Sequence, residues 1–520
     1  MDAALEKAQV SQIDDALNTN GNNNDAENDL NKPQRLAGDA PSDLRLDKHR
    51  LPLVPQPTKH KDDPLNWSPA LKLFIAVQIS WLACLGPMAA AVINPAFVPL
   101  GKAFKITTVE ASYELTVYII FAGVGPLLIS PLANVYGRRP VYLLGNVLAA
   151  VTNIIAGHCT TWNGILVTRV FNGIGAGSNV AIGGATICDL YFMHERGLYM
   201  GIYTFFLTNG PHLAPLIGGY IAQNLGWRQC FNIPGYIQLG TFLVTLLCLP
   251  ETLYSRNTTT TSSSSYKPAS YTSLLLFRRG HLSDRDLKAK DFLEPFYMLK
   301  YISILIPGLY YMISFGFGTV LFATTGASLF AKFYHFNVAQ TGLLLSIPLL
   351  IGCLIGEFNA GWLTDHMVYR YAKRHDGVRK PEARLDAIWL ALLLPIGVII
   401  DGICLSHYKS VGWIGAAFGM GIACCGLQVA TTVVYAYCTD CYKPQSAEIS
   451  TVLNTFRSIF SALISFYAIP LGNKIKFEYA WLVFALLNIV FLLPMFALRI
   501  YGSRWRSYAW QSPPKFHNDI

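Results

Sequence analysis

Charge is scarce in this sequence. Asp, Glu, Lys and Arg make up 14% of its 520 residues, where soluble domains carry about 25%. That shortage excludes a mostly soluble chain, and a mean hydropathy of +0.35 points the same way. No G-x-x-x-x-G-K-[ST] stretch occurs, which argues against ATP as a fuel. The N-terminal region lacks the apolar core and cleavage site of a signal peptide, so no cleavable leader is expected. The eleven cysteines supply no metal framework. Most lie inside apolar runs (Cys84, Cys188, Cys248, Cys353, Cys404, Cys424 and Cys425), where a thiol acts as a small hydrophobe. Cys438-Thr-Asp-Cys441 has CxxC spacing but no second pair or His cluster, so neither metal nor cofactor is expected. No loop gathers a nucleophile, a base and a third group, so no enzyme is expected either. Lys and Arg fall between apolar runs rather than on a soluble basic face, so nucleic acid is not an expected partner.

What the chain has in abundance is uncharged stretches of about 20 residues, the length that crosses some 30 Å of hydrocarbon. Twelve such spans are expected. The first six run over about 71–98, 110–132, 141–158, 163–188, 198–222 and 230–250; the second six run over about 301–325, 340–363, 386–405, 411–436, 447–470 and 479–500. The fold class is an all-α membrane protein with twelve transmembrane helices in two pseudo-symmetric six-helix bundles, surrounded by lipid bilayer and acting as a monomer. The domains follow: 1–69 as a disordered tail, 70–250 as the N-terminal bundle, 251–300 as a linker, 301–500 as the C-terminal bundle and 501–520 as a C-terminal tail. The linker is Thr/Ser-rich from Thr258 to Ser265, and an amphipathic helix is expected around Leu282–Leu299.

Basic residues set the orientation. The linker carries Arg256, Lys267, Arg278, Arg279, Arg285, Lys288, Lys290 and Lys300, and the loop after the eighth span carries Arg370, Lys373, Arg374, Arg379, Lys380 and Arg384. The positive-inside rule therefore puts both termini and the linker in the cytoplasm. The sequons at Asn66 and Asn257 fall on that same face, where glycosylation is not expected.

One short stretch organises the rest: Ser130-Pro-Leu-Ala-Asn134-Val-Tyr-Gly137-Arg138-Arg139-Pro140, a tight basic turn between two apolar runs. Gly361-Trp-Leu-Thr-Asp365 occupies the same setting in the second half. A motif used once per half suggests duplication. The turn resembles the loop motif of the major facilitator superfamily, whose general form is G-x-L-a-D-r-x-G-R-R. Leu166-Val-Thr-Arg169-Val-Phe-Asn-Gly173-Ile-Gly175-Ala-Gly177 resembles that family's fourth-span motif. Gly210-Pro211-His212-Leu-Ala214-Pro215-Leu-Ile-Gly218-Gly219 resembles the fifth-span motif of its antiporters, and Pro250-Glu-Thr-Leu-Tyr254 a common fungal end of the sixth span. The chain is thus similar, over about 62–500, to the fungal branch of twelve-span drug:proton antiporters. It departs from the loop motif at Ser130, Asn134 and Val135, and from the fifth-span motif at Ala214; the acidic residue survives only as Asp365.

Residue chemistry assigns candidate roles. Gly137 permits positive φ, and Arg138 and Arg139 suit the negative ends of helices. With Asn134 and Asp365 they form either a gating latch or a membrane anchor. Arg169, several residues into the fourth span, either gates protons or substrate or snorkels to the headgroups. Glu357, about 12 Å by helical rise before Asp365, is either a proton carrier or half of an interhelical pair. Gly210, Pro211, Pro215, Gly218 and Gly219 allow a kink and close backbone contact, which the resemblance identifies as a hinge of exporters. Asn94, Asn179, Asn209, His212, Gln428 and Asn454 are either substrate contacts or interhelical hydrogen bonds. Asn179 and Gln428 stand in similar Gly-x-Asn/Gln-Val-Ala settings near the midplane, where transporters bind substrates. Asp401 reads as a solvated end residue. Asp189, Glu195 and Arg196, and likewise Asp440, Glu448 and Arg457, read as cytoplasmic ion-pair networks. Tyr310, Tyr311, Phe315 and Phe317 either line a cavity or face lipid.

The expected function is proton-coupled export of small organic molecules (drugs, toxins or secondary metabolites) by alternating access at the plasma membrane. Proton-coupled uptake of a polyamine or another organic cation is one alternative. A non-transporting nutrient sensor is another.

Overall fold

The computed structural model describes residues 53, 55–58, 63–254, 287–375, 380–442 and 445–508. Most of the 1–69 tail, the Thr/Ser-rich linker, the Asn257 sequon and residues 509–520 lie outside the described residues. Twelve long helices fill the described part: α1 (Pro69–Ala91), α2 (Tyr113–Tyr136), α3 (Arg138–His158), α4 (Trp162–Leu190), α5 (Met193–Leu225) and α6 (Gln229–Cys248), then α7 (Ile302–Phe333) and α8 (Val338–Arg374), α9 (Pro381–Ser406) and α10 (Tyr408–Cys441), α11 (Ser446–Ile475) and α12 (Phe477–Arg506). Among them, eleven are long and apolar enough to cross a membrane. The exception is α5. At 33 residues it has the length, but its centre, Thr208-Asn209-Gly210-Pro211-His212, dilutes its hydropathy.

Local chemistry starts and stops these helices. Ser68 accepts from the Leu71 N–H ahead of Pro69 at the start of α1, a residue pair suited to a helix N-terminus. Asn337 and Gln340 form a reciprocal capping box before α8, at 2.8 and 3.1 Å. α9 opens with a tightly wound stretch, Pro381–Leu392, before the α-helical part. The amphipathic helix expected around Leu282–Leu299 is absent from its described part. Short turns over Ala289–Phe292, Glu294–Tyr297 and Met298–Lys300 stand there instead. Pro295 is one reason, since it has no N–H to continue a helix begun upstream.

The two halves repeat one packing scheme. In the first, α2 packs on α4, α3 on α4 and α6, and α1 on α5; in the second, α8 packs on α10, α9 on α10 and α12, and α7 on α11. Each half has its own cores, with Leu85, Phe97 and Phe231 in one and Phe317, Trp481 and Phe484 in the other. The halves meet through α5 with α8 and α2 with α11, the same pairing exchanged between halves. Close approach depends on glycine. A side chain on Gly218 would strike the Val92 carbonyl, and one on Gly219 would come within 2.9 Å of the Val338 carbonyl.

Connectivity gives the bundle two ends, one with the Gly137 turn and the other with the Gly226 turn. Most contacts that join the halves lie toward the Gly226 end. Gln223 Oε1 accepts from the Ala339 N–H at 3.1 Å, and Thr116 Oγ1 donates to Ser465 Oγ at 2.7 Å. Ser346 Oγ donates to the His212 carbonyl at 2.6 Å, and Thr455 Oγ1 to the Gly123 carbonyl at 2.8 Å.

Candidate functional site

Between the halves lies a cavity of about 1460 Å³. Its lining runs from Asn134, Arg138, Asp189 and Tyr254 at the Gly137 end to Asn94 and Pro215 deep in the bundle. Contacts between α5 and α8 and between α2 and α11 close the other end, so the described residues leave the cavity open on the Gly137 side. Pro55 and Gln56, just before α1, also reach this cavity. The chain that follows is tied down: Asp63 accepts from the Thr58 N–H at 2.8 Å, and Lys72 Nζ donates to the Leu65 carbonyl at 2.7 Å.

The Gly137 turn has φ of 105°, a conformation that glycine adopts without strain. It brings the first N–H groups of α3 onto the Glu251 carboxylate, with Arg138 N–H at 2.9 Å and Arg139 N–H at 3.1 Å. A carboxylate on those orphan donors is the favourable partner for a helix N-terminus. The arginines divide the remaining work. Arg139 donates to the Leu246 carbonyl in the last turn of α6 at 2.8 Å. Arg138 donates to Asn134 Oδ1 at 2.5 Å and to Asp189 at 3.3 Å. The second half repeats this cluster with Arg384 between Asp365 at 3.1 Å and Asp440 at 2.5 Å. Asn134 and Asp365 are therefore equivalent positions, and the neutral Asn134 leaves the Arg138 guanidinium with Asp189 as its ion-pair partner among the described residues.

Glu251 is the residue that sequence reasoning missed here, although it stands in the quoted Pro250-Glu-Thr-Leu-Tyr254. Burial lifts its carboxyl above the usual glutamate range, against the opposing pull of the Leu253, Arg138 and Arg139 amides. Glu251→Gln keeps one acceptor and removes the charge. Amide hydrogen exchange across Gly137–Arg139 is expected to accelerate by about tenfold or more, as loss of one charge-assisted bond of about 1.5–3 kcal/mol implies. Unchanged exchange in that segment, read by mass spectrometry, would show that the carboxylate does not hold the turn.

On the cavity wall, Glu357 is half-buried on α8 and accepts a hydrogen bond from Gln428 Nε2 of α10. Cys353 lies one turn away, its thiol 3.6 Å from Gln428 Oε1. His212 joins the wall from α5, its Nε2 3.9 Å from the Cys424 thiol and its buried Nδ1 without a hydrogen-bond partner among the described residues. Asn94 Oδ1 is likewise buried and unpartnered, and Asn454 accepts from Arg457 Nε at 2.7 Å. Buried polar atoms of this kind ordinarily find a partner; here the cavity is where one would enter.

Several expectations need correction. Asn179 and Asn209 do not line the cavity. Asn179 faces Gly145 of α3, and Asn209 donates to the Phe205 carbonyl of its own helix at 2.9 Å. Arg169 is also off the wall. It neither snorkels nor lines the cavity, because its guanidinium is enclosed with Glu114 at 3.8 Å, Asn153 at 2.6 Å and the Phe231 ring at 4.8 Å. Glu114 was missed, its signal being the second acidic residue, after Glu110, at the mouth of the second span. Asp401 is buried, not solvated, and accepts from the Trp481 indole at 2.9 Å. Arg457 belongs to the central cavity instead of an end-of-helix network, since it lies three turns into α11. Of the seventh-span aromatics, Tyr311 and Phe315 line the cavity, whereas Tyr310 and Phe317 are core residues. The five hinge residues all lie on α5, which runs unbroken through Pro211 and Pro215, and a side chain on Gly210 would come within 2.8 Å of the Cys84 thiol.

Comparison with known proteins agrees with this architecture. The family model for the Major Facilitator Superfamily matches residues 79–465. The chain is 28% identical over 417 residues to the MFS transporter cpaT of Aspergillus oryzae, covering 77% of this chain and 81% of that one. It is 27% identical to the MFS transporter fsa7 of a Fusarium species over 98% of both chains. It is also 27% identical to the efflux pump radE of Floropilus chiversii, covering 86% and 83%. Among solved structures, a bacterial homologue of the human lysosomal transporter Spinster, inward-facing and unoccupied, shares the fold with a TM-score of 0.59 at 15% identity, covering 84% of this chain and 98% of that one. Twelve helices in two matched halves around a central cavity, together with a family match over most of the chain, mean that this protein belongs to the Major Facilitator Superfamily and is a multi-pass membrane transporter.

Proposed function

We propose that this transporter is a proton-driven exporter of small organic molecules, working by alternating access in the plasma membrane with both termini in the cytoplasm. The observation that carries the reading is the cavity between the halves, open at the Gly137 end, with Glu357 on its wall. A carboxylate at that depth is costly unless it has a partner or a task, and its hydrogen-bond donor among the described residues, Gln428, is neutral. Glu357 would exchange protons with the cavity, and substrate would occupy the space beside it. The glycine contacts of α5 with α1 and α8 supply the surface along which the halves rock. Relatives that include a named efflux pump favour the outward direction. The basic loops favour a cytoplasmic Gly137 end by the positive-inside rule.

The test is substrate-driven proton flux in proteoliposomes containing the full chain, screened with lipophilic drugs, aromatic acids and polyamines. Proton movement opposite to substrate movement is the expected result. Co-directional movement would establish uptake, and binding without flux of any compound would replace transport with sensing.

A further inference from the structure

Five arginines of the helical bundle stand within ion-pair distance of a carboxylate: Arg138 of Asp189, Arg169 of Glu114, Arg384 of Asp440, Arg499 of Asp386 and Arg506 of Glu382. Arg457 differs. It stands eleven residues into α11, about 16 Å from the start of that helix by rise per residue, and lines the cavity. No carboxylate lies within ion-pair distance of it among the described residues. Its Nε donates to Asn454 Oδ1, and its guanidinium carbon lies 4.2 Å from the Phe315 ring centroid and 6.0 Å from that of Tyr311. Those contacts orient the group, yet none of them neutralises it.

A cation at this depth without a counter-charge is a functional site by default. The planar fork of a guanidinium matches a carboxylate in particular. The surrounding wall adds a second specification. Tyr118, Tyr203 and Tyr435 come within electrostatic reach of Arg457, and Tyr311 and Tyr435 meet edge to face at 5.5 Å between centroids. Rings from both halves therefore surround one unneutralised cation. Flat aromatic surface packs favourably on such rings.

We propose that Arg457 receives the acidic group of the transported molecule, and that the substrates are aromatic organic acids whose ring systems pack among Phe315, Tyr311, Tyr203 and Tyr435. This rests on the transport reading above and narrows it. It counts against organic cations, which Arg457 would repel.

The test uses the full chain in lipid nanodiscs with 2-naphthoate as probe and 2-naphthamide, its neutral counterpart, as control. Fluorescence titration is expected to show naphthoate bound at least about tenfold more tightly than the amide, a difference of about 1.4 kcal/mol. In Arg457→Gln the acid should fall to the level of the amide while amide binding stays unchanged. Arg457→Lys should keep part of the preference, because it keeps the charge and loses the fork. An unchanged amide affinity and melting temperature show that the variants are folded. Equal binding of the two probes, no saturable binding of naphthoate, or a preference that survives in Arg457→Gln would each overturn the proposal. Naphthoate flux in proteoliposomes separates this from the transport reading. Arg457-dependent binding without flux would leave the acid site standing and remove transport; flux indifferent to Arg457 would do the reverse.

Discussion

Glu357→Gln is expected to reduce substrate-driven proton flux to that of protein-free liposomes while leaving substrate binding within about threefold of the parent. Glutamine has nearly the same size and can still accept from Gln428 Nε2, so the hydrogen bond between α8 and α10 survives the change. What disappears is a group that can take up and release a proton in the cavity. Loss of flux with retained binding therefore isolates coupling from packing. Asp365 is the natural second variant, and its expected behaviour differs. It lies at the Gly137 end, largely exposed and paired with Arg384, where an ion pair contributes roughly 0.2–1 kcal/mol. Asp365→Asn is expected to keep its proton flux. Flux that persisted in Glu357→Gln and vanished in Asp365→Asn would move the proton site to the end of the bundle.

Arg169→Met is expected to be the most destabilising single change in the first half. Arg169 and Glu114 are both 0% exposed, and removal of one member of such a pair leaves an uncompensated charge at a cost of about 3–5 kcal/mol. Glu114→Gln should cost less, because Asn153 and the Phe231 ring continue to receive the guanidinium. The double variant Glu114→Leu with Arg169→Met should recover part of the loss, since the unpaired charge is then gone. Thermal unfolding of the purified proteins in detergent, followed by tryptophan fluorescence, reads all three. Strict additivity would mean that the pair does not act as a unit.

The helices were legible because lipid leaves the chain little choice. A segment without charge for about 20 residues must satisfy its backbone internally, so the ends of most spans could be placed to within several residues. The span expected over 198–222 is the helix α5, although its centre is more polar than that of the other spans, and it sits against α1 and α8. Legibility failed in the linker, where the described part of an amphipathic pattern gave way to short turns around Pro295. The repeat was visible in sequence, with Asp365 standing where the first half has Asn134; the structure adds the arginines that meet the two positions, Arg138 and Arg384.

Site residues divided along the same line. Glu357, Gln428, His212, Asn94 and Asn454 are polar residues in apolar runs, and all line the cavity. Asn179 and Asn209 are polar residues in apolar runs too and do not, because a helix has several faces and the residue type does not say which one a polar group occupies. Arg457 shows the converse: its neighbours in sequence suggested an end-of-helix ion pair, and three turns of helix carried it into the cavity.

By itself the sequence determined the membrane class, the number and order of the long helices, the duplicated turn and the resemblance to a transporter family. Each of these depends on composition or on residues close together in the chain. Only the tertiary structure decided which end of the described helices is open, that Glu251 meets the Gly137 turn, that Glu114 answers Arg169, and that Arg457 stands in the cavity with no carboxylate at ion-pair distance among the described residues. Those depend on which faces of distant helices meet, and a helix of period 3.6 presents an apolar sequence to its neighbours in many rotations that only packing selects.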